Sequence, residues 1–239
     1  MAVEKPLEGK IAVITGANRG IGLAIAQRLG EMGAKLSICA RDAHKLETAT
    51  CQLRATAPAV YEMQVDVTRA DQIASFIQTT QKSLGPIDIL VNNAGVGWFG
   101  PTQEASEENW DSVLDTNLKS VFLVSKAVAP GMIERKTGHI INIASLAGKN
   151  AFKNGGVYCA SKWGLMGLTE CMAEDLRQYG IRVSAICPGT VDTDFSPHTG
   201  KDPAKLLQSD DIAHAVAMLV TQAPQSFISE ILIRPTFKP

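Results

Sequence analysis

The segment YCASK places a phenol and an amine four residues apart, at Tyr158 and Lys162. Residues with this spacing are neighbours on one face of a helix, so the pair could be an ordinary surface contact. The alternative is acid–base chemistry, because a nearby ammonium favours the phenolate and lowers the pKa of a tyrosine from its usual value of about 10. The rest of the sequence decides between these interpretations.

A glycine-rich turn, TGANRGIG, covers residues 15–22 and joins the first apolar run to the first helical pattern. Gly16 allows a tight exit from a strand, while Gly20 and Gly22 let main-chain amides approach a bound group. Because these amides lie at a helix N-terminus, the turn is suited to a pyrophosphate. A glycine turn that holds no ligand is the other possibility. It is not a P-loop, since no Gly-Lys-Ser/Thr follows.

The strict dinucleotide spacing G-x-G-x-x-G occurs elsewhere, in GVGWFG from Gly95 to Gly100. Pro101 follows it, and the next helical pattern begins only near Ser106. No strand–turn–helix unit is therefore centred on this motif. We predict a flexible loop at the mouth of a site here rather than a phosphate cradle.

Composition excludes several classes of function. The net charge of −1 and the absence of a lysine or arginine run argue against a nucleic-acid or anionic-membrane surface. The sequence has no secretion signal and no apolar run long enough for a membrane span. The five scattered cysteines form no zinc spacing, and the four histidines suggest no metal site. We expect reduced thiols, no metal and a cytoplasmic location.

Short apolar runs alternate with helical patterns along the whole chain, which is typical of a parallel sheet covered by helices on both faces. The predicted strands are residues 11–15, 34–40, 60–67, 87–93, 139–145, 181–188 and 227–233. The predicted helices are residues 20–32, 43–56, 69–84, 106–135, 157–179 and 210–222. We expect one α/β domain, residues 1–239, with a ligand site beyond the carboxyl ends of the strands.

Several motifs together give this chain a resemblance to a known family. They are the glycine turn at 15–22, NNAG at 92–95, Asn117, Ser145, and Tyr158 with Lys162, in this order and at these spacings. In combination they resemble the short-chain dehydrogenase/reductase family, from about residue 7 to the end of the chain. The resemblance implies a Rossmann-type doubly wound sheet of about seven strands and a nicotinamide cofactor. It therefore favours the catalytic interpretation of YCASK.

The resemblance also implies a role for each catalytic residue. Tyr158 would donate a proton to the substrate oxygen in reduction and accept one in oxidation. Lys162 would lower the pKa of that tyrosine and hold the ribose of the nicotinamide half. Ser145 would hydrogen-bond and polarise the substrate oxygen. Asn117, in the predicted helix 106–135, would hold a water in a proton relay, although it could be merely a tolerated polar residue.

The positions that the resemblance assigns to the cofactor come from six segments. They are Gly16, Asn18, Arg19, Gly20, Ile21, Gly22, Arg41, Asp66, Val67, Asn93, Ala94, Gly95, Tyr158, Lys162, Pro188, Gly189, Thr190, Val191 and Thr193. Asp66 would accept a hydrogen bond from the adenine amino group, but it could equally cap the helix that starts near Arg69.

The end of the second predicted strand bears on the choice of cofactor. An NAD-preferring site places an acidic residue there, to bind the ribose 2′-hydroxyl. This sequence has Ala40 at that position, followed by Arg41, and Asp42 more naturally caps the next helix. Arg19 would face the same corner, and two guanidinium groups suit a phosphate. We predict NADP(H).

The leading functional hypothesis is an NADP(H)-dependent oxidoreductase that transfers a hydride between nicotinamide and a carbonyl or secondary-alcohol substrate. One alternative is a 3-oxoacyl-acyl-carrier-protein reductase, for which Lys126, Arg135 and Lys136 offer only a hint of a basic docking patch. A non-catalytic dinucleotide-binding regulator is the alternative from another class. Regulators of that kind typically lose the tyrosine or the lysine.

The small-molecule substrate would lie against a mostly apolar wall, covered by a mobile flap at about residues 190–209. The wall residues predicted from the sequence are Trp98, Phe99, Ala147, Phe152, Phe195 and His198. The family usually assembles through the long helices, here 106–135 and 157–179, and often also through the C-terminal strand. We therefore expect a homotetramer or homodimer.

Overall fold

The computed structural model describes residues 5–195 and 202–237. Seven parallel strands form one sheet in the order β3-β2-β1-β4-β5-β6-β7. Their bounds are β1 Ile11–Thr15, β2 Lys35–Ala40, β3 Val60–Gln64, β4 Ile89–Asn92, β5 Gly138–Ile143, β6 Ile181–Pro188 and β7 Glu230–Ile233. The strand order reverses between β1 and β4, as in a doubly wound α/β sheet. The predicted fold class is confirmed.

Helices cover both faces of this sheet. Their bounds are α1 Gly20–Glu31, α2 Ala43–Leu53, α3 Ala70–Leu84, α4 Glu107–Leu114, α5 Ser120–Arg135, α6 Gly156–Arg177 and α7 Ser209–Val220. One apolar core gathers side chains of α1, α2 and α7, such as Ile25, Leu46 and Val216. A second core, on the other face, gathers side chains of α3 and α5, such as Phe76 and Val128.

The burial of the strands explains why they are apolar runs rather than alternating patterns. Every residue of β1 and β4 is buried, as are nearly all residues of β2, β5 and β6, because both sides of each strand meet a helix layer. The two edge strands, β3 and β7, are only partly buried. The burial pattern therefore marks the middle of the sheet, where the site lies.

The predicted helix 106–135 is interrupted. A π-helical turn, Asp115–Lys119, separates α4 from α5, and Ser120 N–H donates to the carbonyl of Asp115 there. The turn contains Asn117, whose buried side chain is hydrogen-bonded outside its own helix. Single π turns inside α-helices are often found at functional sites.

The predicted flap at about residues 190–209 is described only in part. Residues 196–201, which include His198, lie outside the described residues. Val191 forms an isolated parallel bridge with Leu207, and a short 3-10 turn covers Pro203–Lys205. The flap itself stays a prediction.

His139, at the start of β5, lies buried in the sheet, and Ser184 on β6 hydrogen-bonds its ring at 2.9 Å from Nε2. Ser184 Oγ donates to the carbonyl of Ile228, so Nε2–H of His139 must be the donor to Ser184. The other ring nitrogen, Nδ1, has no hydrogen-bond partner among the residues that the structure describes. Burial, assisted by the charge of Arg182, lowers the pKa of His139 to about 3.

Because His139 is buried in its neutral form, we predict that the free energy of unfolding falls in mild acid. Below the unfolded-state pKa of about 6.5 the unfolded chain takes up a proton that the folded chain refuses, so stability falls as pH drops from about 6.5 towards 3. We expect the free energy of unfolding to be about 2 kcal/mol lower at pH 5 than at pH 7 from this group. Urea denaturation at both pH values measures it. His139→Gln should reduce the difference, and an unchanged difference would contradict this account.

Candidate active site

A cavity of about 1270 Å³ opens at the carboxyl ends of the central strands. It exceeds the usual range of about 300–1,000 Å³ for small-molecule pockets, so it has room for a dinucleotide and a second ligand. Most of the predicted site residues line it: Gly16, Asn18, Arg19, Gly20, Ile21, Gly22, Arg41, Val67, Asn93, Ala94, Gly95, Ser145, Tyr158, Lys162, Pro188, Gly189, Thr190, Val191 and Thr193. Asp66 and Asn117 are not among the lining residues.

The glycine turn is held against the end of β4 by hydrogen bonds. Asn93 Nδ2 donates to the carbonyls of Thr15 at 3.0 Å and Gly16 at 3.1 Å, and Thr15 Oγ1 accepts from the main chain of Asn93. Gly16 has φ 66°, and a Cβ there would lie 2.9 Å from Ala94 Cα. A Cβ at Gly22 would collide with Asn93 Nδ2 and the Gly16 carbonyl. The absence of side chains therefore shapes a cradle bordered by main-chain groups.

Tyr158 and Lys162 lie on α6 and are both buried, with 8% and 5% of their surface exposed. Lys162 Nζ donates to the Ile143 carbonyl at the end of β5 at 2.9 Å, and it lies 5.9 Å from the centre of the Tyr158 ring. An ammonium has three N–H donors, and among the described residues only the Ile143 carbonyl accepts from this one, so two donors remain for a ligand. Burial lowers the pKa of Lys162 to about 8.

The expected lowering of the Tyr158 pKa is wrong for the protein without a ligand. Burial raises the pKa of Tyr158 to about 12, and the hydrogen bond from Ser145 offsets only part of this increase. The physical reason is that a phenolate loses more solvation in this buried position than its polar neighbours return. The pair is therefore a phenol beside a mostly protonated amine at neutral pH.

Ser145 follows β5 and begins the turn Leu146–Gly148, where its Oγ accepts from Ala147 N–H at 3.1 Å. Ser145 and Tyr158 both line the cavity. The turn packs closely on α6, since a Cβ at Gly148 would lie 2.8 Å from the Lys162 carbonyl oxygen. Ser145, Tyr158 and Lys162 thus form one compact group.

Asn117 is 1% exposed, and its side chain is fully occupied by protein groups. Its Oδ1 accepts from Val96 N–H at 2.9 Å, while Nδ2 donates to the Val96 carbonyl at 2.8 Å and to Ser161 Oγ at 3.0 Å. The side chain therefore anchors the loop after β4 to α6. The water relay expected at this residue stays a prediction.

The comparisons with known proteins agree with this arrangement. The family model described as short chain dehydrogenase matches residues 10–204. An uncharacterized oxidoreductase of Staphylococcus saprophyticus is 36% identical over 230 residues, which cover 96% of this chain and 98% of that protein. The chain belongs to the short-chain dehydrogenase family.

Solved structures of the family resemble the whole chain. A metagenomic short-chain oxidoreductase in complex with NADP is 46% identical with a TM-score of 0.86, and the match covers 98% of this chain and all of that one. A variant of an actinorhodin polyketide ketoreductase with NADPH is 33% identical with a TM-score of 0.89, over 98% of each chain. This short-chain dehydrogenase is thus an enzyme of the oxidoreductase class by family.

The alternative role for Asp66, capping the helix that starts near Arg69, is wrong. The N-cap of α3 is Arg69, and Asp66 Oδ1 instead accepts from Thr68 N–H and Thr68 Oγ1 at 3.0 and 2.8 Å. Burial alone would raise the pKa of Asp66, but the hydrogen bonds from Thr68 and the charges of Arg41 and Arg69 outweigh it and lower the pKa. Asp66 holds the turn that places Val65 and Val67 on the cavity wall.

Arg19 and Arg41 both line the cavity, and their predicted convergence on one phosphate stays a prediction. Arg19 Nη1 donates to Asp194 Oδ2 at 3.0 Å, across the cavity mouth, so its charge is balanced there. This ion pair is solvent-exposed on both sides and is therefore weak. Asp42 caps α2 as predicted, since its carboxylate accepts from Lys45 N–H at 3.0 Å.

Lys45 is a further basic residue at the cavity, and sequence reasoning missed it. It lines the cavity with Arg41, and neither side chain forms an ion pair with the residues described by the structure. A lysine in the first turn of a helix opposes the helix dipole. A bound anion would offset this unfavourable position. The lysine at this position was therefore the signal in the sequence for an anion site.

The C-terminal segment is the other part of the site that was missed. Residues 234–237 follow β7 and line the cavity, and Pro235 packs on Gly189, where a Cβ would lie 3.0 Å from Pro235 Cδ. The rule that ligands lie beyond the carboxyl ends of parallel strands already implied this position for any residue after β7.

Two further absences hold for the described part of the chain. Between residues 5 and 195 and between 202 and 237, no group of three or more His, Cys, Asp or Glu side chains could hold a metal ion. Within the same ranges, no helix has the length and apolar character that a membrane span requires.

Proposed function

We propose that this short-chain dehydrogenase is an NADP(H)-dependent oxidoreductase of carbonyl compounds and secondary alcohols. The single observation that carries the proposal is a buried tyrosine, Tyr158, grouped with Ser145 and Lys162 in the cavity that the glycine turn also lines. The metagenomic and polyketide relatives hold NADP and NADPH, which supports the same cofactor here.

The residues present fit a dinucleotide cofactor. The glycine turn lines the cavity at the N-terminus of α1, where main-chain amides suit a pyrophosphate. The two free N–H groups of Lys162 would bind the ribose of the nicotinamide half, and residues 188–191 with Thr193 would border the ring. Val65 and Val67 would border the adenine. When bound, the cofactor supplies the hydride that the carbonyl carbon receives.

In the proposed reaction, side chains of the protein carry out the proton transfer. Ser145 hydrogen-bonds the substrate oxygen and stabilises the negative charge that develops on it. Tyr158, protonated at neutral pH, donates its proton to that oxygen, and the product is the alcohol. The phenolate left behind is stabilised by the Lys162 ammonium and by Ser145. Asn117 acts as a positioning residue that fixes Val96 and Ser161.

The cofactor's 2′-phosphate would bind to Arg41 and Lys45. Both side chains line the cavity beside Ala40, which offers no carboxylate to a ribose 2′-hydroxyl. Arg41 is held at its main chain, since Gln64 Nε2 donates to its carbonyl at 2.8 Å. Arg19 would join them by exchanging Asp194 for the phosphate, since the present ion pair is exposed and weak.

The structure offers little support for the two alternative functions, an acyl-carrier-protein reductase and a non-catalytic regulator. A basic patch for an acyl carrier protein would need Arg135, but its guanidinium donates to the Ile87 carbonyl at 2.6 Å, while Lys126 lies over the Phe122 ring. A non-catalytic regulator would have no use for a buried tyrosine and lysine at the cavity. We therefore retain the reductase as the proposal.

Tyr158→Phe tests the proposed reaction. The variant removes only the proton donor, so it should keep NADPH binding while carbonyl reduction falls by several orders of magnitude, at least about 100-fold. NADPH oxidation with a panel of ketones and aldehydes measures the rate, and fluorescence titration measures cofactor binding. Tyr179→Phe, on an exposed tyrosine, is the matched control. Near-normal turnover by Tyr158→Phe would exclude the tyrosine as the acid.

Arg41 and Lys45 generate a prediction on cofactor choice. The native protein should prefer NADPH over NADH by at least about tenfold in kcat/KM, or about 1.4 kcal/mol. Removing both positive side chains, by Arg41→Ser with Lys45→Ser, should abolish this preference, and adding Ala40→Asp should turn it towards NADH. Arg54→Ser with Lys35→Ser is a control for loss of charge. Equal efficiency with both cofactors in the native protein would refute the assignment.

The outer face of α4, α5 and α6 generates the proposal of a homo-oligomer. On α5 and α6, Val121, Val124, Leu165 and Met166 are buried in the subunit, whereas Phe122 and Trp163 are exposed. Phe122 lines a groove with Leu114, Leu118 and Leu168, beside the ion pair of Lys119 with Asp115. The edge strand β7, with Leu232 exposed, would form a second interface.

Light scattering should therefore give two or four times the subunit mass at micromolar concentration. Trp163→Glu places a charge in the proposed contact and should yield a smaller species, whereas Glu47→Gln on the exposed side of α2 should not. A monomeric native protein would rule out the assembly. The cytoplasmic location stays a prediction.

A further inference from the structure

Two phenylalanine rings contact the ring of Tyr158, and a third packs on one of them. The ring centres of Phe99 and Phe195 lie 5.4 and 5.7 Å from the Tyr158 ring centre, and Phe99 lies 6.4 Å from Phe195 and 6.2 Å from Phe152. The interplanar angles range from 38° to 80°. These are the tilted and edge-to-face arrangements that aromatic rings prefer.

The rings rest on glycines rather than lying loosely at the surface. A Cβ at Gly97 would meet Phe99 Cε2 at 2.7 Å and Phe195 Cζ at 3.2 Å, and a Cβ at Gly155 would meet the ring of Phe152 at 2.6 Å from Cε2. This gives the G-x-G-x-x-G motif of residues 95–100 a role in packing. The rings of Phe99 and Phe195 pack against Gly97. The ring of Trp98, which does not line the cavity, packs against Gly100.

The aromatic cluster is nevertheless open to a ligand. Phe99, Phe152 and Phe195 line the cavity and are 39%, 49% and 40% exposed. Large apolar side chains that are fixed in position and still exposed inside a cavity gain free energy when a ligand covers them. The cluster therefore presents a preformed apolar surface directly beside the proton donor.

The chemistry of the neighbourhood favours a neutral ring over a cation. Aromatic faces can also attract ammonium groups. Here the buried ammonium of Lys162 already lies 5.9 Å from the centre of the Tyr158 ring, and it would repel a second cation at this distance. An uncharged aromatic ring can use the same edges and faces without that cost.

We infer that the substrate is a neutral carbonyl compound, or the corresponding alcohol, that carries an aromatic ring within one or two bonds of the reacting carbon. Phe99, Phe152 and Phe195 bind that ring. Gly97 positions Phe99 and Phe195. The inference rests on the proposed reductase function and specifies its substrate class. Each favourable aromatic contact adds selectivity beyond the buried area alone.

The test compares phenylacetone with cyclohexylacetone, which place a six-membered ring at the same distance from an unconjugated carbonyl. Cyclohexyl is the more hydrophobic ring, so simple apolar burial would favour cyclohexylacetone. We expect kcat/KM with NADPH to be at least about tenfold higher for phenylacetone. Trimethylammonioacetone tests the cationic alternative.

Variants then locate the selectivity. Phe99→Leu and Phe195→Leu should each lower the phenyl-to-cyclohexyl ratio several-fold, with the KM for NADPH unchanged. Gly97→Ala should do the same by displacing both rings without altering any aromatic residue. Phe227→Leu, at a half-exposed phenylalanine outside the cavity, is the control and should leave the ratio unchanged.

Calorimetric binding of the same ketones to the protein with NADP⁺ separates the two claims. Tighter binding of phenylacetone without turnover of any ketone would support the aromatic subsite and reject the proposed reaction. Turnover with equal or greater preference for cyclohexylacetone would overturn the subsite and leave the reaction standing. Preference for trimethylammonioacetone, or a ratio untouched by Phe99→Leu, Phe195→Leu and Gly97→Ala, would also overturn it.

Discussion

The burial of the Lys162 ammonium beneath Tyr158 is the constraint on which the rest of the site depends. A buried charge is costly unless it is hydrogen-bonded, and here the Ile143 carbonyl at the end of β5 accepts from it. That bond ties α6 to the carboxyl edge of the sheet, and so sets where the phenol lies. Burial of the Tyr158 ring itself raises the pKa of its phenol to about 12, so the phenol is protonated before any ligand enters.

The other parts of the site are aligned to this pair by amide side chains that bridge separate elements. Asn93 ties the glycine turn after β1 to the end of β4, and Asn117 ties the loop after β4 to Ser161 on α6. The cradle for a cofactor and the proton donor are therefore held in one frame by hydrogen bonds across the sheet edge. Each bridge satisfies buried main-chain groups that would otherwise be costly to leave unpaired.

The sequence was most informative where a local signal and the global fold agreed. The strand over residues 11–15, the cap at Asp42 and the gathering of the catalytic residues at one sheet edge all followed from apolar runs, capping preference and the topology of parallel sheets. What it could not supply were relations between distant segments. The pairing of Arg19 with Asp194, the π turn at Asn117 and the seating of Phe99 on Gly97 depend on how loops meet in space.

The protonation state of Tyr158 is the central claim, and titration of phenolate absorbance in the cofactor-free protein measures it directly. The chain has three tyrosines, so wild type minus Tyr158→Phe isolates one of them. With the pKa of Tyr158 raised to about 12, the two proteins should develop the same phenolate absorbance up to about pH 10. Additional phenolate in the wild type between about pH 7 and pH 9 would show that Lys162 lowers the pKa of Tyr158 despite its burial, and would contradict the account.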